Sequence, residues 1–358
     1  MLEYPKWQDA SHWGYVLNMA FEFGFNANDV EYYILPVTHH YGERVPCFAD
    51  YATTLLAGRK FDQVWFEVSH SRIDDEVLEF LCSLAPCRLG IAVESLELLP
   101  VEWANNPEAS KRRDSVLNRR LSHCTHLITT DELDAKRLDG KSGLQARPFP
   151  PGFVVPKQFI HDNPAPPQFN IGLFYGALYG ERKAWLEKPR LSPLLRYCPA
   201  SPEMHTHLPA AFDKLHQEAH RAISMNEVSQ QLLDDYLRCS RHIRFECFRL
   251  WLDGLRLGAA VVNLPQWGRA YASRVIEGMA AGRPVITRQL VDRPLSIAAF
   301  EDGKEILLYS NEDELAGHLE HIMGDYEFGR RIAMNARKRV LAHHTTEGYV
   351  AELLEWIR

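Results

Sequence analysis

The chain has no run of apolar residues approaching the roughly 18 to 20 needed to cross a bilayer, although its 358 residues are 46% hydrophobic. It also lacks a strong charge of either sign. Forty basic residues stand against 47 acidic ones, a formal net charge of -7, and nothing in that balance forms the basic footprint that wraps nucleic acid or coats an anionic membrane. The opening MLEYPKWQDASHWGY lacks the charged-then-apolar order of a secretory signal. These absences predict a cytoplasmic protein with no transmembrane segment and no nucleic-acid partner. The seven cysteines (Cys47, Cys82, Cys87, Cys124, Cys198, Cys239 and Cys247) are odd in number and show no paired metal-type spacing. They are expected to be reduced and mostly buried. Low-complexity tracts and short repeats are missing too, which excludes a solenoid.

What is present is an alternation. In the first half, apolar runs rich in β-branched and aromatic residues occur at VEYYILPV (30–37), QVWFEVS (63–69), RLGIAVES (88–95) and HLITT (126–130). Between them lie CFADYATTLLAG, RIDDEVLEFLCSLA and SKRRDSVLNRRLSHC, whose apolar residues recur at helical spacing. Continuous apolar strands separated by helices predict a parallel sheet covered on both faces, with ligands gathering past the carboxyl ends of the strands. Seven prolines in RPFPPGFVVPKQFIHDNPAPPQFN (147–170) mark a linker. The alternation then resumes through IGLFYGAL, ERKAWLEK, AAVVNLP, YASRVIEGMAAG, RPVIT and EILLYS before a helical last third. Two Rossmann-like α/β domains are expected, the first over 1–155 and the second over 165–344.

Within YASRVIEGMAAGRPVITRQ (271–289), Val275, Ile276, Met279 and Ala280 fall on one side of a helix, and Arg274, Glu277, Gly278 and Ala281 on the other. Arg274 and Glu277 then form either a solvated i, i+3 ion pair or part of a ligand site. The preceding VVNLPQWGRAYAS supplies a strand, a glycine-bearing turn and a helix N-terminus whose free N–H groups favour phosphate. A carboxylate one turn inside such a helix can accept hydrogen bonds from both hydroxyls of a ribose. Asn263, Arg269, Tyr271 and Ser273 of this stretch join Arg274 and Glu277 as candidate nucleotide-binding residues.

The stretch SRVIEGMAAGRPVIT, with the sequence from DGKEILLYSNEDELAGHLEHIMGDYEFGRRIAMNARKRVL onward, resembles the C-terminal half of group-1-type glycosyltransferases of the GT-B fold, in flavour nearest the spore-maturation CgeB-like branch. The resemblance implies two Rossmann-like domains facing a central cleft, with a terminal helix (345–358) returning to the first. It implies a nucleotide-sugar donor in the second domain, an acceptor (glycan, protein or small molecule) at the first, Glu277 on the donor ribose and Arg274 beside it. The early second-domain match, IGLFYGALYGERKAWL, implies Gly176, Tyr179 and Arg182 near the diphosphate. Two departures stand out. Arg269 occupies the position where many retaining members carry a second glutamate, so it is expected to neutralise the leaving group instead. The first domain also opens without the usual initial strand and glycine loop.

Cationic side chains and a helix N-terminus can stabilise a leaving diphosphate unaided, so no cofactor and no obligatory metal is expected. Asp74–Asp75 and Asp234–Asp235 read as solvated helix positions. An inverting enzyme needs a general base past a first-domain strand: His70 is the first candidate and Glu94 the second, with Asp131 and Glu132 also in range. His39 and His40 read as exposed loop residues, and SKRRDSVLNRRLS as a solvated helix face.

Overall fold

The computed structural model describes residues 2–3, 16–36, 48–69, 73–96, 107–162, 165–176, 178, 180–198, 210–265 and 270–358. β1 (Leu2–Glu3) and β2 (Leu35–Pro36) form a short parallel pair. The first larger sheet runs β3 (Gln63–Glu67), β4 (Cys87–Ala92), β5 (His126–Thr129) and β6 (Gln145–Pro148), each parallel to the next. The second contains β7 (Phe169–Tyr175), β8 (Leu195–Cys198), β9 (Gly258–Asn263), β10 (Val285–Arg288) and β11 (Leu307–Tyr309), all parallel, in the spatial order β11-β10-β9-β7-β8. Every residue of β5 and of β9 is buried, as apolar strands must be when helices cover both faces. In the second sheet the winding reverses between β7 and β9. A doubly wound sheet binds its ligands outside the carboxyl ends at such a reversal, which singles out the chain after Tyr175 and the end of β9.

Several elements differ from the pattern expected of the sequence. VEYYILPV contributes only Leu35–Pro36 to a strand, and the described part of the proline-rich stretch includes the end of β6 at Pro148, a 3-10 turn at Lys157–Phe159 and the start of β7 at Phe169. Among the described cysteines only Cys82 and Cys124 are fully buried; Cys87, Cys198 and Cys239 are half-buried, and all five are free thiols. The largest departure lies between β8 and β9, where the chain forms two helices, Ala210–Met225 and Gln230–Leu255. Ala219, Leu233, Tyr236 and Leu237 from this pair share a core with Phe48, Val64 and Phe66 of the first half, and the Tyr33 hydroxyl donates to Gln230 Oε1 at 2.7 Å. At 1.5 Å rise per residue, the 26-residue second helix spans roughly 39 Å. Its far end buries Phe248, Leu252 and Leu255 against Val261 and Val275 of the second half.

The last helix, Thr346–Ile357, buries Val350, Leu353 and Ile357 and crosses to the first half. There Tyr349 lies 4.7 Å from the Phe149 ring and Trp356 lies 4.9 Å from His126. Gly24 makes the crossing possible, because a Cβ there would stand 2.2 Å from Val350 Cγ2. The two passages of chain between the halves are bonded side by side: Val155 N donates to His344 O at 2.9 Å and Thr346 N to Val155 O at 3.1 Å.

Asp131 and Glu132, the further candidates past β5, are both engaged by the segment after β10. Arg293, 1% exposed, donates two hydrogen bonds to Asp131, Nε to Oδ1 at 2.7 Å and Nη2 to Oδ2 at 3.0 Å. Glu132 accepts from the backbone N–H groups of Leu295 (3.1 Å) and Ser296 (2.8 Å). The carboxyl end of β5 is thereby latched to the segment after β10, and the carboxyl ends of the two sheets face each other. No helix among the described residues is long and apolar enough to cross a membrane.

Candidate functional site

The helix Ser273–Ala280 follows β9 and is buried on every side: Arg274 through Ala280 are all inaccessible. Of the two alternatives for the charged face, the burial excludes the solvated one. The helix is wedged among β9, β10, the long helix and Tyr326–His343, and Gly278, Ala280 and Ala281 are small enough to let it in. Arg274 and Glu277 are consequently desolvated groups, and a surface ion pair is ruled out.

Their partners define the site. Arg274 donates from Nη1 to Asn263 Oδ1 at 2.9 Å, while Asn263 Nδ2 donates to the Thr287 hydroxyl at 3.0 Å. Asn263, the last residue of β9, is thus oriented by β10 and in turn aims Arg274. The guanidinium lies over the Phe174 ring, 5.3 Å from its centroid. It also lies against Gly176, the first residue past β7, which holds φ +149. A Cβ at Gly176 would fall 2.6 Å from Arg274 Nη2; the backbone conformation is what favours glycine, and a side chain there would push the guanidinium aside. Gly176, Asn263 and Arg274 bridge the very reversal between β7 and β9.

Glu277 lies one turn further along the helix. Its Oε2 accepts from the Trp251 indole Nε1 at 2.9 Å, whereas Oε1 is buried without a hydrogen-bond partner. Burial pushes the carboxyl up to about 7, against the lowering effects of the Trp251 N–H, the Arg274 charge and the Ser273 hydroxyl. A buried acceptor left unmet costs about 1–3 kcal/mol, so this atom awaits a donor. The cap of the helix is Ala272, which makes no side-chain cap hydrogen bond, so no capping side chain offsets the positive end of the helix dipole.

The raised value has a consequence for stability. In the unfolded chain the carboxyl loses its proton near its ordinary value of 4.5, and in the folded chain only near 7. Between these limits the folded state binds more protons, so this group's contribution is full below 4.5 and is lost as pH rises to about 7. His344, held down to about 4 by burial, acts in the opposite direction, and only a difference measurement isolates Glu277. The stability of Glu277→Gln relative to the natural chain is expected to rise between pH 5 and pH 8 by about 2–3 kcal/mol; a pH-independent difference in urea unfolding would refute the assignment.

The other predicted residues are placed as follows. Ser273 is half-buried at the first helical position. Arg182 is 1% exposed, donates from Nε to the Pro265 carbonyl at 2.9 Å and stacks on Phe174, 5.3 Å from its centroid. It therefore braces the ring that carries Arg274 and ties its own helix to the end of β9, instead of opening onto a ligand. Tyr271 is turned into the core, 5.8 Å from the Phe300 ring, and is not brought to this group. Glu94 is exposed just past the carboxyl end of β4. His70, Tyr179 and Arg269, together with His39 and His40, lie outside the described residues.

Two features were missed. Trp251 arrives from the long helix, 26 positions before its partner, and only its helical period was legible. At the carboxyl end of β3, Glu67 accepts from Ser69 N at 2.7 Å and from the Ser69 hydroxyl, and buried Arg120 donates to Val68 O at 3.1 Å. Arg120 belongs to the basic run expected to be solvated. Arg119, which pairs with Asp75 at 2.7 Å, is half exposed, but Arg120 is 7% exposed. Asp234 and Asp235 accept from Gln230 and Gln231 on their own helix.

Residues 253–355 match the profile of the family described as "Glycosyl transferase-like", a span that includes Arg274 and Glu277. Similar solved structures include a sucrose-phosphate synthase from Thermosynechococcus elongatus, 16% identical over 91% of this chain and 84% of that one, with a TM-score of 0.55. Another is an α-glucosyltransferase in complex with UDP and a 13-mer DNA containing an HMU base, 13% identical over 95% and 94% of the two chains, TM-score 0.57. The fold is GT-B. No curated protein matches the chain in sequence. The reversal between β7 and β9 lies in the second of the two parallel sheets.

Proposed function

We propose that this GT-B protein is a glycosyltransferase of the CgeB-like branch, acting in the cytoplasm. It takes a sugar from a UDP- or GDP-linked donor and passes it to a glycan, protein or small-molecule acceptor held by the first half. The observation that carries this reading is the buried Glu277 carboxyl with one oxygen unpartnered, beside Arg274 and Gly176 at the reversal of the second sheet. Ionised, Glu277 accepts from ribose hydroxyls; the glycine turn admits the diphosphate; Arg274 and the uncapped helix N-terminus carry its charge. The α-glucosyltransferase that shares the fold was captured with UDP, which supports a uridine nucleotide first.

In the transfer, the bond between the anomeric carbon and the diphosphate oxygen breaks and one to the acceptor oxygen forms. The charge arriving on the diphosphate is met by Arg274, and by Arg269 if its side chain enters the site, so the step needs no metal ion. In an inverting transfer the acceptor proton goes to a base past a first-sheet strand, His70 or Glu94.

The test is release of UDP or GDP from a panel of nucleotide sugars by the purified chain, with and without sugar and lipid acceptors. Release above background is expected for at least one donor. Binding without release from any donor would identify a catalytically silent relative, and interconversion of the sugar while still attached would identify an epimerase.

A further inference from the structure

The Glu277 carboxyl is not held by its own helix alone. Trp251 stands near the end of Gln230–Leu255, the helix that begins against the first half and ends against the second. Its indole N–H donates to Glu277 Oε2. Its ring meets Tyr175, the last residue of β7, at 5.3 Å, and the Tyr175 hydroxyl donates to Gly254 O at 3.0 Å. The indole is thus wedged between the strand that leads to Gly176 and the carboxyl that faces it, and its position is set by both.

We infer that Trp251 is the positioning residue of the nucleotide site: by occupying Oε2 it fixes the Glu277 rotamer and leaves Oε1 directed at a ribose hydroxyl. This rests on the reading of Glu277 as the ribose-binding carboxylate. A free glutamate has three rotatable side-chain bonds, and fixing them before binding removes an entropic cost from the complex. A nearly buried carboxylate also gains from each N–H that satisfies it, so the same contact favours its ionised form. The groups acting on the carboxyl are Trp251 from the long helix and Arg274 and Ser273 from its own helix. β9, β10 and the helix Tyr326–His343 contribute Val261, Val285, Ala336 and Val340 to the apolar core that also holds Val275, Ile276 and Met279 of this helix.

The experiment compares UDP and GDP with their 2′,3′-dideoxy forms by calorimetry at pH 8, on the natural chain, Trp251→Phe and Trp251→Gln. The natural chain is expected to prefer the ribose form of its nucleotide by at least about tenfold. Trp251→Phe should lose most of that preference while binding the dideoxy form as the natural chain does, which also shows that the variant is folded. Trp251→Gln, which restores an N–H donor, should recover part of it. The affinity of Trp251→Phe for the ribose form should also begin to fall at a higher pH on acidification. An equal ribose preference in the natural chain and Trp251→Phe, with the same pH profile, would overturn the inference and leave the site assignment intact. Failure of the natural chain to bind UDP or GDP would overturn both.

Discussion

Replacing Glu277 by alanine is expected to weaken UDP or GDP binding by about a hundredfold or more, measured by calorimetry at pH 8. The estimate follows from the loss of hydrogen bonds to an ionised, desolvated acceptor, each worth about 1.5–3 kcal/mol, where 1.4 kcal/mol is a factor of ten. The environment makes the loss large. Glu277 is 1% exposed, so water does not replace the carboxylate in the variant, and the Trp251 N–H loses its acceptor as well. The natural chain should also bind more tightly at pH 8 than at pH 6, because the carboxyl is ionised only above about 7. Unchanged affinity in Glu277→Ala would remove the residue from the site.

The second large effect is on stability. Arg293→Ala is expected to lower the free energy of unfolding by about 3–5 kcal/mol, because it strands the Asp131 carboxylate in a buried position. Asp131 and Arg293 are 2% and 1% exposed, and the guanidinium meets both carboxylate oxygens. The Ser95 hydroxyl and the Leu133 N–H also donate to Asp131, so part of the charge stays satisfied and the lower end of the range applies first. The double variant Asp131→Asn, Arg293→Met should cost less than the sum of its singles, since the partners fail together. Urea unfolding checks both statements, and a loss under about 1 kcal/mol in Arg293→Ala would show that the latch contributes little.

The latch also shows where sequence reading reaches its limit. TTDEL past β5 is visibly polar and visibly at a strand end, and such residues are the natural candidates for an acceptor base. What removes Asp131 and Glu132 from that role is Arg293 and the backbone of Leu295 and Ser296, more than 160 positions away, and no local pattern announces a pairing of that range. The same holds for Trp251 and Glu277. By contrast, β3 to β5, β7 and β9 to β11 are legible because each lies in an apolar run, and the helix at 273–280 because its start and its glycine stop are local signals; β8, with only Leu195 buried, has no such run. Whether its charged residues are solvated or held in a site is left open by the helix pattern alone, because burial is a property of neighbours. Gly278 and Ala281 are the available sign that something packs closely on the second face. The helices at 210–225 and 230–255 carry a helical period but are dense in charge, and beyond the helical setting of Asp234 and Asp235 they are hard to see because the strand-helix alternation on either side continues as if they were absent.

The central claim is that a nucleoside diphosphate seats across the reversal of the second sheet. The most direct test is a crystal structure of the full chain with UDP or GDP. The account predicts ribose hydroxyls within hydrogen-bond distance of Glu277, Oε1 among the acceptors, and the diphosphate over Gly176 with Arg274 against it. A nucleotide bound elsewhere, or at this site with its ribose turned away from Glu277, would contradict it.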